Sequence, residues 1–141
     1  MCIRDSLQQL FQCLLSELET LINFGERIDQ FNSLYLLVSV SQRVMFAREG
    51  GKLSYLDKCL DNSLLVLKRL FVKLVTTKEV RIRDCKIPRK GGKCGILPCV
   101  TEFADFAERA ERIMMGYDSR MELDKAYEAL NGALFLSLIH I

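Results

Sequence analysis

Thiols and a run of cations are the side chains here with the most chemistry to offer. Cys85, Cys94 and Cys99 lie close together, separated by eight and then four residues. Thiolates so placed invite zinc, but structural zinc sites usually build on paired cysteines about two to four residues apart. No Cys-x2-Cys pair occurs, and a four-cysteine site would have to borrow Cys13 or Cys59 from elsewhere. The spacing therefore argues against a metal. Cys13 and Cys59 sit among apolar positions, where a thiol acts as a small hydrophobe. Scattered thiols of this kind suit a reducing compartment better than a disulfide framework. The cations are Lys78, Arg81, Arg83, Lys86, Arg89, Lys90 and Lys93, faced only by Glu79 and Asp84, for a local net of +5. Such a strip could meet anionic lipid headgroups or an acidic protein surface. The plainer reading, and the favoured one, is a solvated loop following a basic helix end, where Lys and Arg complement the dipole. No aromatic residue interleaves it for base stacking, so nucleic acid is not expected as a partner.

The two chain ends change what other chemistry is open. One coding of residues 136–141 is CTG TCT CTT ATA CAC ATC. Its reverse complement, GATGTGTATAAGAGACAG, read from its ATG, gives Met-Cys-Ile-Arg-Asp, which is how the chain begins. Both ends thus derive from one short element in inverted orientation, and that element resembles a transposase adapter of sequencing libraries. Residues 1–6 and 136–141 are therefore expected to be adapter artefact, set aside from fold reasoning. The segment 7–135 then holds no histidine, since His140 is the only one, and it keeps five cysteines and the net charge of +2. Without imidazole, Ser/His/Asp and Cys/His nucleophilic centres and His-containing zinc sites drop out. Gly91-Gly92 before Lys93 is too short for a phosphate-binding loop. Glu102 and Asp105 read as the polar face of a helix, and Glu108 with Arg112 as a supporting i,i+4 pair. No enzyme activity, cofactor, metal or small-molecule substrate is expected.

The elements that would position these residues are helices. The chain has 141 residues, half of them hydrophobic and 27% charged, with only two prolines. That composition excludes a disordered chain and speaks against a turn-rich β-sandwich. Leu7, Leu10, Phe11, Leu14, Leu15, Leu18, Leu21 and Ile22 recur at helical spacing, with Gly25 as the expected C-cap. A second helix is expected over 28–48 on Ile28, Phe31, Leu34, Tyr35, Val38 and Met45, stopped by Gly50-Gly51; residues 29–33 could delay its start. The third and longest should span 54–84, about 45 Å at 1.5 Å per residue, on Leu56, Leu60, Leu64, Leu67, Leu70, Phe71, Leu74 and Val75. Its Val75-Thr76-Thr77 stretch is β-branched and a candidate bend. Residues 85–95 read as loop. A fourth helix follows Pro98 on Phe103, Phe106, Ala107, Ala110, Ile113 and Met114, and Gly116 stops it. Asp118 or Ser119 can cap a fifth, with Glu122 placed for a capping box on Ser119, on Leu123, Ala126, Tyr127, Leu130 and Leu134. The expected fold is all-α, an elongated antiparallel helical bundle. No apolar run is long enough to span a membrane. A bundle cut at both ends should leave part of a stripe uncovered.

Three stretches resemble one family in order and spacing. They are 25–38 (GERIDQFNSLYLLV), 95–107 (GILPCVTEFADFA) and 123–127 (LDKAY), and they are similar to segments of the first component of the exocyst. Residues 54–83 agree mainly by hydrophobic pattern. The departures are Cys94, Cys99 and the stretch 89–92. The resemblance implies that 7–135 is a fragment of the helical rod of a tethering-complex subunit. It implies a non-catalytic scaffold segment of an exocyst subunit that tethers secretory vesicles to the plasma membrane before fusion. Its partners would be other exocyst subunits. Its location would be cytoplasmic, peripheral at plasma-membrane sites of exocytosis. The family's phosphoinositide, Rho-type GTPase and assembly contacts belong to an N-terminal region outside this segment, so no binding residue carries over. Two alternatives remain open. One is a membrane-surface module using the basic loop 78–93, with anionic membrane lipids as its partner. The other is a helical scaffold of another tethering complex.

Overall fold

A computed structural model describes residues 3–51, 55–85 and 96–140, and the regular structure among them is helical throughout. The elements are α1 (Ile3–Ile28), α2 (Asn32–Glu49), α3 (Tyr55–Arg83), α4 (Pro98–Met114) and α5 (Met121–Ile139). The chain forms two compact units, Met1–Phe71 and Val72–Ile141, with the boundary inside α3. In the first, α1 packs on α2; in the second, α4 packs on α5.

The first unit corrects one expectation about glycine. Gly25 does not cap α1. The helix runs through it to Ile28, and Gly25 does not adopt a positive φ. The turn lies three residues later and is held by side chains. The Asn32 amide donates to the Gly25 carbonyl at 2.9 Å, the Phe31 N–H donates to Asp29 Oδ1 at 3.0 Å, and Ser33 Oγ donates to the Gln30 carbonyl at 2.7 Å. Asp and Asn favour such turns because their short side chains bond the nearby backbone. This break is the reason α2 begins at Asn32 and not at 28. A methyl group added at Gly25 would meet Asn32 Cβ and Leu36 Cδ1 at 3.9 Å, an ordinary contact. Gly25→Ala is therefore expected to stabilise the chain by about 0.5–1 kcal/mol, because helix-interior glycine forfeits backbone entropy. Urea denaturation followed by circular dichroism measures this. The same change at Gly116, whose φ is +91°, should go the other way.

The remaining boundaries follow local chemistry. Gly51, at φ +71°, closes α2, and Gly116 follows α4. The β-branched stretch does not break α3: Thr76 and Thr77 donate their hydroxyls to the Val72 and Lys73 carbonyls at 2.9 and 2.8 Å, inside a continuous helix. Pro98 opens α4 at a position whose N–H needs no helical partner. The N-cap of α5 falls one residue after Ser119. Arg120 is the N-cap of α5, without a side-chain cap bond, and its guanidinium reaches back to Glu111.

Burial also departs from the simple stripes. In α2 the core residues are Leu34, Leu37, Val38 and Val44, whereas Tyr35 and Met45 are exposed, as is Ile28 at the end of α1. So much of α2 is apolar that periodicity alone cannot choose its inner face. In α3, Leu67, Phe71, Leu74 and Ile82 are buried, and Leu56 is not. Cys59 is buried as expected, but Cys13 is exposed. In the second unit the core is Cys99, Phe106, Ala110, Met114, Leu123, Ala126, Leu130 and Ala133.

Candidate functional site

Three features could bear function, and each can be built from its residues. The first is the end of α3 with the start of α4. Lys78, Arg81 and Arg83 occupy the last turns of α3. Lys78 Nζ pairs with Glu102 Oε2 on α4 at 2.9 Å, and Arg83 pairs with Glu79 one turn back. Arg81 is exposed and has no ion pair among the described residues. Lys86, Arg89, Lys90 and Lys93 lie outside the described residues. Two of the three described cations are thus engaged with acids. Glu102 is accordingly an interhelical partner and not simply part of a solvated face.

Thiols collect beside this ion pair. Cys85 follows α3 and is half-buried; Cys99 is the second residue of α4 and 2% exposed. Burial, then the Cys99 thiol and the Glu102 carboxylate, push the Cys85 thiol above its ordinary range. Cys94 lies outside the described residues. Among the described residues, no group of three His, Cys, Asp or Glu is arranged to hold a metal ion. Cys85 and Cys99 thus flank the start of the helix pair that the Lys78–Glu102 bridge joins.

The second feature is a clamp across α4 and α5. Arg120 donates through both terminal nitrogens to the two oxygens of Glu111, and Tyr127 Oη donates to Glu111 Oε1 at 2.8 Å. The hydrogen bonds from Arg120 and then Tyr127 hold the Glu111 carboxyl down at about 2. Burial, and then the hydrogen bond to Glu111, push the Tyr127 phenol up to about 12. Phe106 meets the Tyr127 ring edge-on at 6.3 Å. The group is structural: an ionised acid, a guanidinium and a neutral phenol lock one helix corner. Spacing could not have found it, because Glu111 and Tyr127 are sixteen residues apart and join only through the turn. The expected Glu108–Arg112 pair is present at 2.7 Å.

The third feature is an apolar seam on the outside of α1. Phe11, Leu15, Leu18 and Ile22 turn inward to varying depth, but Leu7, Leu10, Leu21 and Phe24 are exposed. With half-buried Leu14 and with Glu17, the positions 7, 10, 14, 17, 21, 24 and 28 alternate by three and four. That is the spacing of a helix seam that seats against another helix. A cleft in the same unit is lined by Leu15, Glu19, Ile22, Asn62, Ser63, Leu65, Val66 and Arg69. Its one hydroxyl, Ser63, is committed to the Cys59 carbonyl at 3.0 Å. Among the described residues, no helix is long and apolar enough to cross a membrane.

The sequence profile of the family described as Exocyst complex component Sec3, C-terminal, matches residues 2–141. The chain belongs to that family. It is 39% identical over 136 residues to "Exocyst complex component 1" of Mus musculus, covering 96% of the chain and 15% of the relative. It is 35% identical over 133 residues to "Exocyst complex component 1" of Drosophila melanogaster, covering 94% of the chain and 14% of that relative. The chain thus spans about one-seventh of the length of these relatives. No solved structure matches it significantly. Two of the family-like stretches fall on element boundaries: 25–38 builds the α1–α2 turn, and 96–107, the described part of the second, opens α4.

Proposed function

We propose that the chain is a non-catalytic scaffold segment of an exocyst subunit, acting in the tethering of secretory vesicles to the plasma membrane before fusion. Its partners are the other exocyst subunits. It works in the cytoplasm, peripheral at plasma-membrane sites of exocytosis. The family match over residues 2–141 carries this reading. Two observations favour a scaffold over a membrane-surface module. Lys78 and Arg83 are already paired with acids, and the exposed seam of α1 has the spacing of a helix-docking face.

The test is affinity purification of the full-length protein. It is expected to bring the other exocyst subunits with it; if it brings none, the scaffold reading falls. In the same protein, Leu10→Glu with Leu21→Glu and Phe24→Glu should lower subunit recovery at least tenfold while helicity stays unchanged. A charge buried at a helix interface costs several kcal/mol unless it is paired. Unchanged recovery would remove the seam from the docking surface.

A further inference from the structure

We propose that the exposed seam of α1 seats one amphipathic helix of another exocyst subunit, an apolar-faced helix that brings a lysine or arginine against Glu17. This rests on the scaffold reading above and adds the chemistry of the partner. Leu7, Leu10, Leu21, Phe24 and Ile28 are between 47% and 73% exposed. From the first of them to the last the seam runs about 32 Å at 1.5 Å per residue. Glu17 is the middle one of its seven positions; it is exposed, and its side chain has no hydrogen bond or ion pair among the described residues. A lone charge in an apolar seam weakens docking unless the partner answers it, so it selects both partner and register.

The charges of α1 set what can answer it. From Leu7 to Glu26 the helix carries Glu17, Glu19 and Glu26 and no lysine or arginine. A second copy of the chain fits poorly. Because Glu17 is central, a copy laid in full register, parallel or antiparallel, sets Glu17 against Glu17, and like charges facing each other in a closing interface repel. A lipid surface fits poorly too, since helices that lie on anionic membranes flank their apolar face with Lys and Arg, which this stretch lacks. A basic helix has neither defect. Its apolar residues, spaced by three and four, cover the leucines and Phe24, and its cation pairs with Glu17 as water leaves.

The test uses the full-length protein with the photo-crosslinker p-benzoylphenylalanine in place of Cys13, which is exposed and lies one turn before Glu17. The protein is purified with its bound subunits, irradiated, and the adduct mapped by mass spectrometry. The expected result is one segment of another subunit, with apolar residues spaced by three and four and a lysine or arginine among them. Glu17→Lys should lower the adduct yield at least tenfold, because it sets two cations face to face. Glu17→Leu completes the apolar seam, yet it should lower the yield several-fold, because the partner's cation is left unpaired. The Glu17 side chain bonds nothing within the described chain, so both variants fold. A yield that rises with Glu17→Leu means an uncharged partner and overturns the proposal. So does an adduct to the protein's own chain, to a second copy or to lipid, and so does the lack of any adduct while subunits co-purify. Those outcomes leave the scaffold reading standing; failure of the subunits to co-purify removes both.

Discussion

Replacing Phe106 with alanine should remove about 3–5 kcal/mol of stability, a large share of what a small domain possesses. Phe106 has no exposed surface, and its neighbours on the same face, Ala110 and Met114, are buried as well. Alanine leaves a cavity that α4 and α5 cannot close without moving, because each helix is fixed by its own backbone. The change also removes the edge-on contact with Tyr127. Tyr127 in turn holds Glu111, so the loss reaches the clamp with Arg120. Phe106→Leu keeps most of the volume and should cost only about 1–2 kcal/mol. Guanidinium denaturation of the two variants measures the difference. A loss under about 1 kcal/mol for the alanine variant would mean that the α4–α5 packing is not as described.

The second large effect is expected at the other end of the chain. Leu34 is 1% exposed and lies in the first turn of α2, just after the hydrogen-bonded corner. Leu34→Ala should cost about 2–5 kcal/mol through lost burial and the cavity left behind. Asn32→Ala, which removes the bond to the Gly25 carbonyl from a part-buried position, should cost only about 1 kcal/mol. The ordering matters more than either value. If Asn32→Ala proved the more damaging, the corner would be held by its polar bonds and not by the core beneath it. Thermal and urea denaturation of both variants settles which dominates.

The contrast between these two sites shows what was legible beforehand. Phe106 and Leu34 both stood out as apolar positions at helical spacing, and both are buried. Tyr35 and Met45 stood out in the same way and are exposed. Periodicity reports that a helix has an apolar face. When most positions of a helix are apolar, it cannot report which arc meets a neighbour. In α1, one list of leucines proved to hold two stripes, one inward and one outward, because 3.6 residues per turn lets interleaved positions diverge around the axis.

Helix type, number and approximate limits were written in the linear pattern, since each depends on residues within a turn or two of one another: Pro98 opening α4, Gly116 ending it, Gly50-Gly51 after α2. Family membership was likewise carried by ordered local stretches, above all 25–38 and 95–107. The contacts that link distant positions were not legible. Glu111 with Arg120 and Tyr127, and Lys78 with Glu102, join residues nine to twenty-four positions apart. The Gly25 cap failed likewise: α1 runs on through Gly25, whose carbonyl accepts the Asp29 N–H, and the turn beyond Ile28 is tied back by the Asn32 side chain seven residues on. Local composition chooses helix or turn through short-range sterics and hydrogen bonding. Which surfaces then meet is decided by the burial of whole faces, and that is a property of the assembled helices.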